Sequence, residues 1–207
     1  MFSSLANDLL GLIDSLGYFG VFLIMFLESG VFPPIPSEVI LGSIGLLVYQ
    51  GNMNFGLAVL AASLGNAAGT LFMYLVARIG GRPFINRYGD RLFVTQEKLD
   101  KGEVWVKKYG NVVIFFSQMI PGVRSLVTIP AGLLKKNVFA VCLYSFLGAA
   151  VWTSFIIGVT SKLGNKWKGF IDTVDKYSNV VMLLTLIIGL LFISYRVYSY
   201  KRKKLNN

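Results

Sequence analysis

Two uninterrupted apolar runs set the terms for this chain: FGLAVLAASLGNAAGTLFMYLVA at 55–77 and VFAVCLYSFLGAAVWTSFIIGVTS at 138–161. Neither holds a charged residue, and each exceeds the ~20 residues that carry a helix across a bilayer core of ~30 Å. A third run, VVMLLTLIIGLLFISY at 180–195, reaches that length if residues 177–179 and 196–198 serve as its interfacial ends. Backbone polar groups in hydrocarbon must be bonded within the segment, so the runs are expected to be helices and the fold class all-α, a polytopic membrane protein. A hydrophobic content of 55% and a mean hydropathy of +0.64 agree with that class.

Two other apolar stretches are too broken to be single spans. In 17–49, Pro33, Pro34 and Pro36 separate GYFGVFLIMFL from VILGSIGLLVY. At ~1.5 Å per residue each arm reaches only ~16 Å, about half the hydrocarbon thickness. In 112–134, Pro121 and Gly122 separate VVIFFSQMI from LVTIPAGLL in the same way. Half-spans around a break suggest a re-entrant helical hairpin, tolerated only where protein or a watery cavity surrounds the irregular backbone. A pair of kinked full helices is the alternative.

The pattern occurs twice. SEVILGSIGLL (37–47) aligns with RSLVTIPAGLL (124–134), and LGNAAGTLFMYLVARIGG (64–81) with LGAAVWTSFIIGVTSKLG (147–164). Each half is a hairpin followed by a span, a duplicated unit. The first 77 residues contain no Lys or Arg, whereas 78–110 contain Arg78, Arg82, Arg87, Arg91, Lys98, Lys101, Lys107 and Lys108. That loop and the tail YKRKKLNN are expected on the cytoplasmic side. The two hairpins then enter from opposite faces, an inverted repeat of the kind that builds midplane sites in transporters. Lys162, Lys166, Lys168 and Lys176 fall on the opposite side and run against this orientation, with Asp172 and Asp175 partly balancing them. The formal charge of +10 is thereby assigned to a membrane surface rather than to nucleic acid.

Several classes of chemistry are excluded by what the chain lacks. It has no histidine and a single cysteine, Cys142, in an apolar run, so no disulfide, no His or Cys metal cluster and no histidine-dependent catalysis is expected. No GxxxxGK[ST] or GxGxxG motif is present, which argues against ATP-driven pumping by this chain alone. No cofactor or metal is expected, and no nucleophile and base pair suggests an enzyme. The N-terminus lacks signal-peptide features; Phe2, Leu5, Leu9, Leu12 and Ile13 are spaced like an amphipathic helix lying at the interface.

Ionisable residues inside membrane segments cost about 2.5–3.5 kcal/mol each at a helix centre, so they usually face a cavity or a partner. Three qualify here. Glu28 ends the first arm of hairpin one, Glu38 starts its second arm, and Arg124 follows the break of hairpin two. If the hairpin tips meet, the three converge. Arg124 can grip a phosphate or carboxylate through its planar fork. One acid can pair with it, leaving a second carboxylate as a candidate proton carrier. Ser37, at the start of a half-helix after Pro36, and Ser125 and Gln118 beside the second break complete the candidate phosphate-binding set. Asn66, Arg78 and Arg82 are secondary candidates. Asn66 lies among Ala61, Gly65 and Gly69, a small-residue helix contact, and reads equally as helix glue. Arg78 and Arg82 mark an interface, and WVKKYG (105–110) is suited to a membrane surface.

Together ESGVFPPIPSE (28–38), GNAAGTLFMYLVARIGGR (65–82) and IPGVRSLVTIPAG (120–132) resemble the DedA family of bacterial membrane proteins, which carry the VTT (SNARE-associated) domain. The resemblance covers about residues 15–165. It implies two opposed re-entrant hairpins and lipid translocation, of undecaprenyl phosphate or of phospholipids such as phosphatidylethanolamine, with proton coupling in some members. It carries the membrane acids onto Glu28 and Glu38 and the hairpin arginine onto Arg124. Gln118 departs from it, since the family often has arginine there.

The domain organisation expected from these readings is an interfacial helix at 1–16 and a VTT domain at 17–165. Within the latter lie a hairpin at 17–49, a span at 55–77, a cytoplasmic amphipathic loop at 82–110, a hairpin at 112–134 and a span at 138–161. A last span at 177–198 and a basic cytoplasmic tail at 199–207 follow. The expected function is a flippase in the bacterial cell membrane for a lipid with a phosphate headgroup, coupled to protons, with homo-oligomerisation left open. A proton-coupled transporter of small solutes or cations, and a non-transporting scaffold, stand as alternatives.

Overall fold

A computed structural model of the chain describes residues 2–30, 37–88, 96–120, 123–164 and 166. Among them are seven helices and no strand: α1 Phe2–Gly30, α2 Ser37–Tyr49, α3 Phe55–Tyr88, α4 Gln96–Tyr109, α5 Val112–Ser117, α6 Arg124–Leu133 and α7 Val138–Leu163. The expected C-terminal span at 177–198 and tail at 199–207 lie outside the described residues. The all-α expectation holds. Among the described residues, two helices are long and apolar enough to cross a membrane, Phe55–Arg82 and Val138–Leu163.

The outer surfaces of these two helices suit hydrocarbon. On α7, Phe139, Leu143, Leu147, Val151, Phe155 and Val159 are exposed at intervals of four, a single apolar stripe. Where α3 meets α7 the contact is largely apolar and holds one polar pair. Ser63 Oγ and Thr153 Oγ1 lie 3.0 Å apart, both buried, a polar contact between helices of the type used in membrane packing.

The duplication extends into backbone geometry. Asn137 caps α7 by accepting from the Ala140 amide at 3.2 Å, and Asn54 caps α3 in the same way from Gly56 at 2.9 Å. Gly81 and Gly164, equivalent in the aligned spans, both take positive φ, 62° and 53°. Gly17, where α1 kinks, and Gly110, just ahead of α5, do likewise at 57° and 62°.

Each broken element packs on the span of the other half. α2 lies against α7 and α6 against α3, while α1 packs on α3 and α5 on α7. A Cβ at Gly45 of α2 would meet the Thr160 side chain and the Ile157 carbonyl; one at Gly132 of α6 would meet the Tyr74 carbonyl and Ala77. Ile157 and Thr160 are the repeat equivalents of Tyr74 and Ala77, so the contacts are exchanged between halves as a two-fold relation requires. Own-half contacts match too. A Cβ at Gly65 would lie 2.2 Å from the Phe22 carbonyl oxygen, and one at Gly148 would lie 2.4 Å from that of Phe115. These glycines admit helix backbones at a separation no side chain allows.

The region expected as an amphipathic loop is largely helical. α3 continues past a kink at Gly81 to Tyr88, and α4 covers 96–109. α4 is seated on α6 through Gly102, where an added Cβ would fall 2.0 Å from the Leu126 carbonyl and 2.7 Å from Pro130 Cγ. Val104, Trp105, Lys107, Lys108 and Tyr109 are exposed on it.

Candidate functional site

The helix ends around the two breaks bring distant charges together. Glu28 is two residues from the end of α1, and Arg124 is the first residue of α6. Arg124 Nη2 donates to Glu28 Oε1 at 2.6 Å across 96 residues of sequence. The side chains are 16% and 6% exposed, so the pair is withdrawn from bulk solvent and its Coulomb energy is little screened. Ser29 Oγ donates to the other carboxylate oxygen of Glu28 at 3.1 Å. Glu28 thus has both oxygens engaged, while Arg124 commits one of its five N–H donors among the described residues.

Glu38 stands apart from this pair. It is half-buried in the first turn of α2, and among the described residues its one partner is Ser37 Oγ at 3.5 Å. Arg124 is therefore joined to Glu28 and not to both acids. Ser37 turns its hydroxyl toward Glu38. The Ser125 side chain lies outside the described residues.

Gln118 closes the C-terminal end of α5, where the chain leaves the helix before the break. Its side chain is buried against α7, with Cγ and Cβ 3.0 and 3.1 Å from where a Cβ at Gly148 would stand. Among the described residues, neither amide atom of Gln118 has a hydrogen-bond partner, nor has the hydroxyl of buried Thr128 or of buried Ser145. Nothing in the sequence singled out Thr128 or Ser145. Their repeat equivalents, Leu41 and Ala62, are apolar, and that contrast is the signal that was available.

The secondary candidates have structural partners. Asn66 is buried and accepts from Thr70 Oγ1 at 3.4 Å, beside the glycines that seat α1. Arg78 Nη1 donates to Tyr74 Oη at 2.7 Å, and Tyr74 Oη in turn donates to the Lys136 carbonyl. Arg82 Nη2 lies 2.5 Å from Glu103 Oε1 and Lys107 Nζ 3.5 Å from Glu103 Oε2, a cluster that ties α3 to α4. No group of three His, Cys, Asp or Glu that could hold a metal occurs among the described residues.

Against known families, the VTT domain matches residues 35–162. The chain belongs to the VTT-domain (DedA) family. The matched region contains Glu38, Gln118 and Arg124 and begins after Glu28, so the ion pair joins a residue inside the VTT domain to one ahead of it. The chain is 39% identical over 190 residues to the membrane protein YkoX of Bacillus subtilis, covering 92% of this chain and 82% of that protein. It is 29% identical over 201 residues to undecaprenyl phosphate transporter A of the same organism, covering 96% and 99%. It is also 34% identical over 185 residues to an alkaline phosphatase-like protein of Lactococcus lactis subsp. cremoris, covering 87% and 85%. No solved structure matches the chain. This VTT-domain chain is a membrane protein.

Proposed function

We propose that this protein carries undecaprenyl phosphate, or a lipid of the same headgroup chemistry, across the bacterial cytoplasmic membrane, with its C-terminus in the cytoplasm. The observation that carries the reading is the buried pair between Arg124 and Glu28, at the ends of two helices that stop beside breaks in the chain. Glu28 meets Arg124 through one carboxylate oxygen, and a phosphate headgroup, of the same sign of charge, would be held by the same guanidinium donors. The printed name of the Bacillus subtilis transporter, similar along nearly the whole of both chains, supports the same substrate.

The chemistry follows from exchange of anions on Arg124. A phosphate headgroup reaching the helix ends competes with Glu28, and protonation of Glu28 removes its charge and releases the guanidinium to the phosphate. When the headgroup leaves, Glu28 ionises and pairs again, so each transport cycle moves a proton. Glu38, with a hydroxyl as its one described partner, serves as a second proton-binding carboxylate. The lipid tails stay in the bilayer, along the apolar outer stripe of α7. Two helical arms entering from opposite faces would open alternately around this site.

Purified protein in proteoliposomes tests the reading. Wild type is expected to move undecaprenyl phosphate between leaflets faster than protein-free vesicles, without release of inorganic phosphate. Phosphate release would favour hydrolysis, in line with the name of the Lactococcus relative; movement of phosphatidylethanolamine or of soluble cations alone would favour the other transport readings.

A further inference from the structure

We propose that Gln118, Thr128 and Ser145 form a polar recess, present in the second half of the chain only, that accepts phosphate oxygens beyond those held by Arg124 and thereby selects phosphate monoesters over phosphodiesters. The proposal rests on the reading of the chain as a phosphate-lipid carrier and adds the specificity of that site.

The internal repeat supplies the argument. Gln118 and Met25 occupy equivalent packing positions: each lies with Cβ 3.1 Å from where a Cβ would stand on the equivalent glycines Gly148 and Gly65. By the first alignment above Thr128 is the equivalent of Leu41, and extending the second by two residues along α3 and α7 pairs Ser145 with Ala62. Met25, Leu41 and Ala62 are fully buried members of one contiguous apolar cluster. The second half buries its three counterparts as deeply, at 5%, 1% and 0% exposed, but puts polar atoms there that have no partner among the described residues. Shape does not call for these atoms, because methionine nearly matches glutamine in length and volume. Each unpaired buried polar group costs about 1–3 kcal/mol. A ligand that bonds them accounts for the difference between the halves.

The two hydroxyls are unusual within this chain. Helical serine and threonine commonly return the hydroxyl to a carbonyl three or four residues back. Ser43, Ser63, Ser117 and Thr160 do so here, at 2.6–2.9 Å. Thr128 and Ser145, equally helical, do not. Thr128 is one turn after Arg124 on the same face of α6, Gln118 ends α5 just before the break that Arg124 follows, and Ser145 lies three residues before Gly148, where an added Cβ would meet the Gln118 side chain.

The chemistry distinguishes two classes of headgroup. A guanidinium fork takes two phosphate oxygens. A phosphodiester has only two terminal oxygens, so the recess would stay unbonded. A monoester has a third, which accepts from Gln118 Nε2, Thr128 Oγ1 or Ser145 Oγ, and in its singly protonated form its P–OH donates to Gln118 Oε1.

The test uses full-length protein in detergent with two lipids of identical tails, dioleoyl phosphatidic acid as the monoester and dioleoyl phosphatidylglycerol as the diester. Affinity for each and the Tm without lipid are measured for wild type, Gln118→Met and Ser145→Ala. Wild type is expected to prefer the monoester by about tenfold or more, as a hydrogen bond to a charged group supports. Gln118→Met should bring the two affinities close to parity while leaving the lipid-free Tm unchanged or raised, and Ser145→Ala should reduce the preference. Equal affinities in wild type, or a full preference kept in both variants, would overturn the proposal. A Gln118→Met Tm well below wild type would also overturn it, since the amide would then be a structural bond. Failure of wild type to move lipid in proteoliposomes counts against the carrier function and leaves the binding preference to be judged on these affinities.

Discussion

Arg124 Nη2 and Glu28 Oε1 lie 2.6 Å apart, and the contact joins the start of α6 to the end of α1. Breaking a buried ion pair from one side leaves an uncompensated charge, at a cost of roughly 3–5 kcal/mol, whereas replacing both partners by apolar groups is often neutral. Glu28→Gln and Arg124→Leu are each expected to lower the Tm in detergent by several degrees. Glu28→Leu combined with Arg124→Leu should recover most of that loss and still fail to transport. The double variant separates the pair's part in stability from its part in function.

Gly65→Ala and Gly148→Ala should each destabilise by about 1–3 kcal/mol, the usual cost of overpacking, because the new methyl would meet a carbonyl oxygen of the adjoining helix backbone. Gly11→Ala, with open space around the site, should leave the Tm within a degree or two of wild type. Thermal unfolding of the three variants side by side checks the close approach of α1 to α3 and of α5 to α7.

These packing positions also mark how far the sequence could be read. The two spans, the two breaks and the three charged residues beside them were legible, because apolar length and the cost of charge in hydrocarbon are properties of the sequence itself. The junction of Glu28 with Arg124 rather than of both acids with Arg124 was not, since it depends on how the helix ends are set by contacts at Gly65, Gly132 and Gly148. The similarity of 17–27 to 110–120 was only partly visible. It resides in positive-φ glycines and shared carbonyl contacts, while the residues themselves differ, as Met25 and Gln118 do. The arm at 112–120 is shorter as a helix than its apolar run, because regular helix ends at Ser117.

The cluster of Arg82, Lys107 and Glu103 should matter little. Arg82 and Lys107 are more than half exposed, and solvent-screened pairs of this kind contribute about 0–1 kcal/mol. Glu103→Gln is expected to shift the Tm by no more than a few degrees, less at high salt, and to keep transport.

Coupling to protons through Glu28 predicts a defined response to a pH gradient. Transport by wild type in proteoliposomes should rise when the gradient drives protons in the coupled direction and fall when an uncoupler collapses it. Glu38→Gln should weaken that response, and any residual transport by Glu28→Gln should lose it. A wild-type rate indifferent to the gradient would remove protons from the cycle.

The most direct test of the account is the rate of undecaprenyl phosphate movement between leaflets in proteoliposomes holding equal amounts of folded wild type and of the Glu28→Leu, Arg124→Leu double variant. The account predicts movement well above protein-free vesicles for wild type and background movement for the double variant. Equal rates from the two proteins would contradict it.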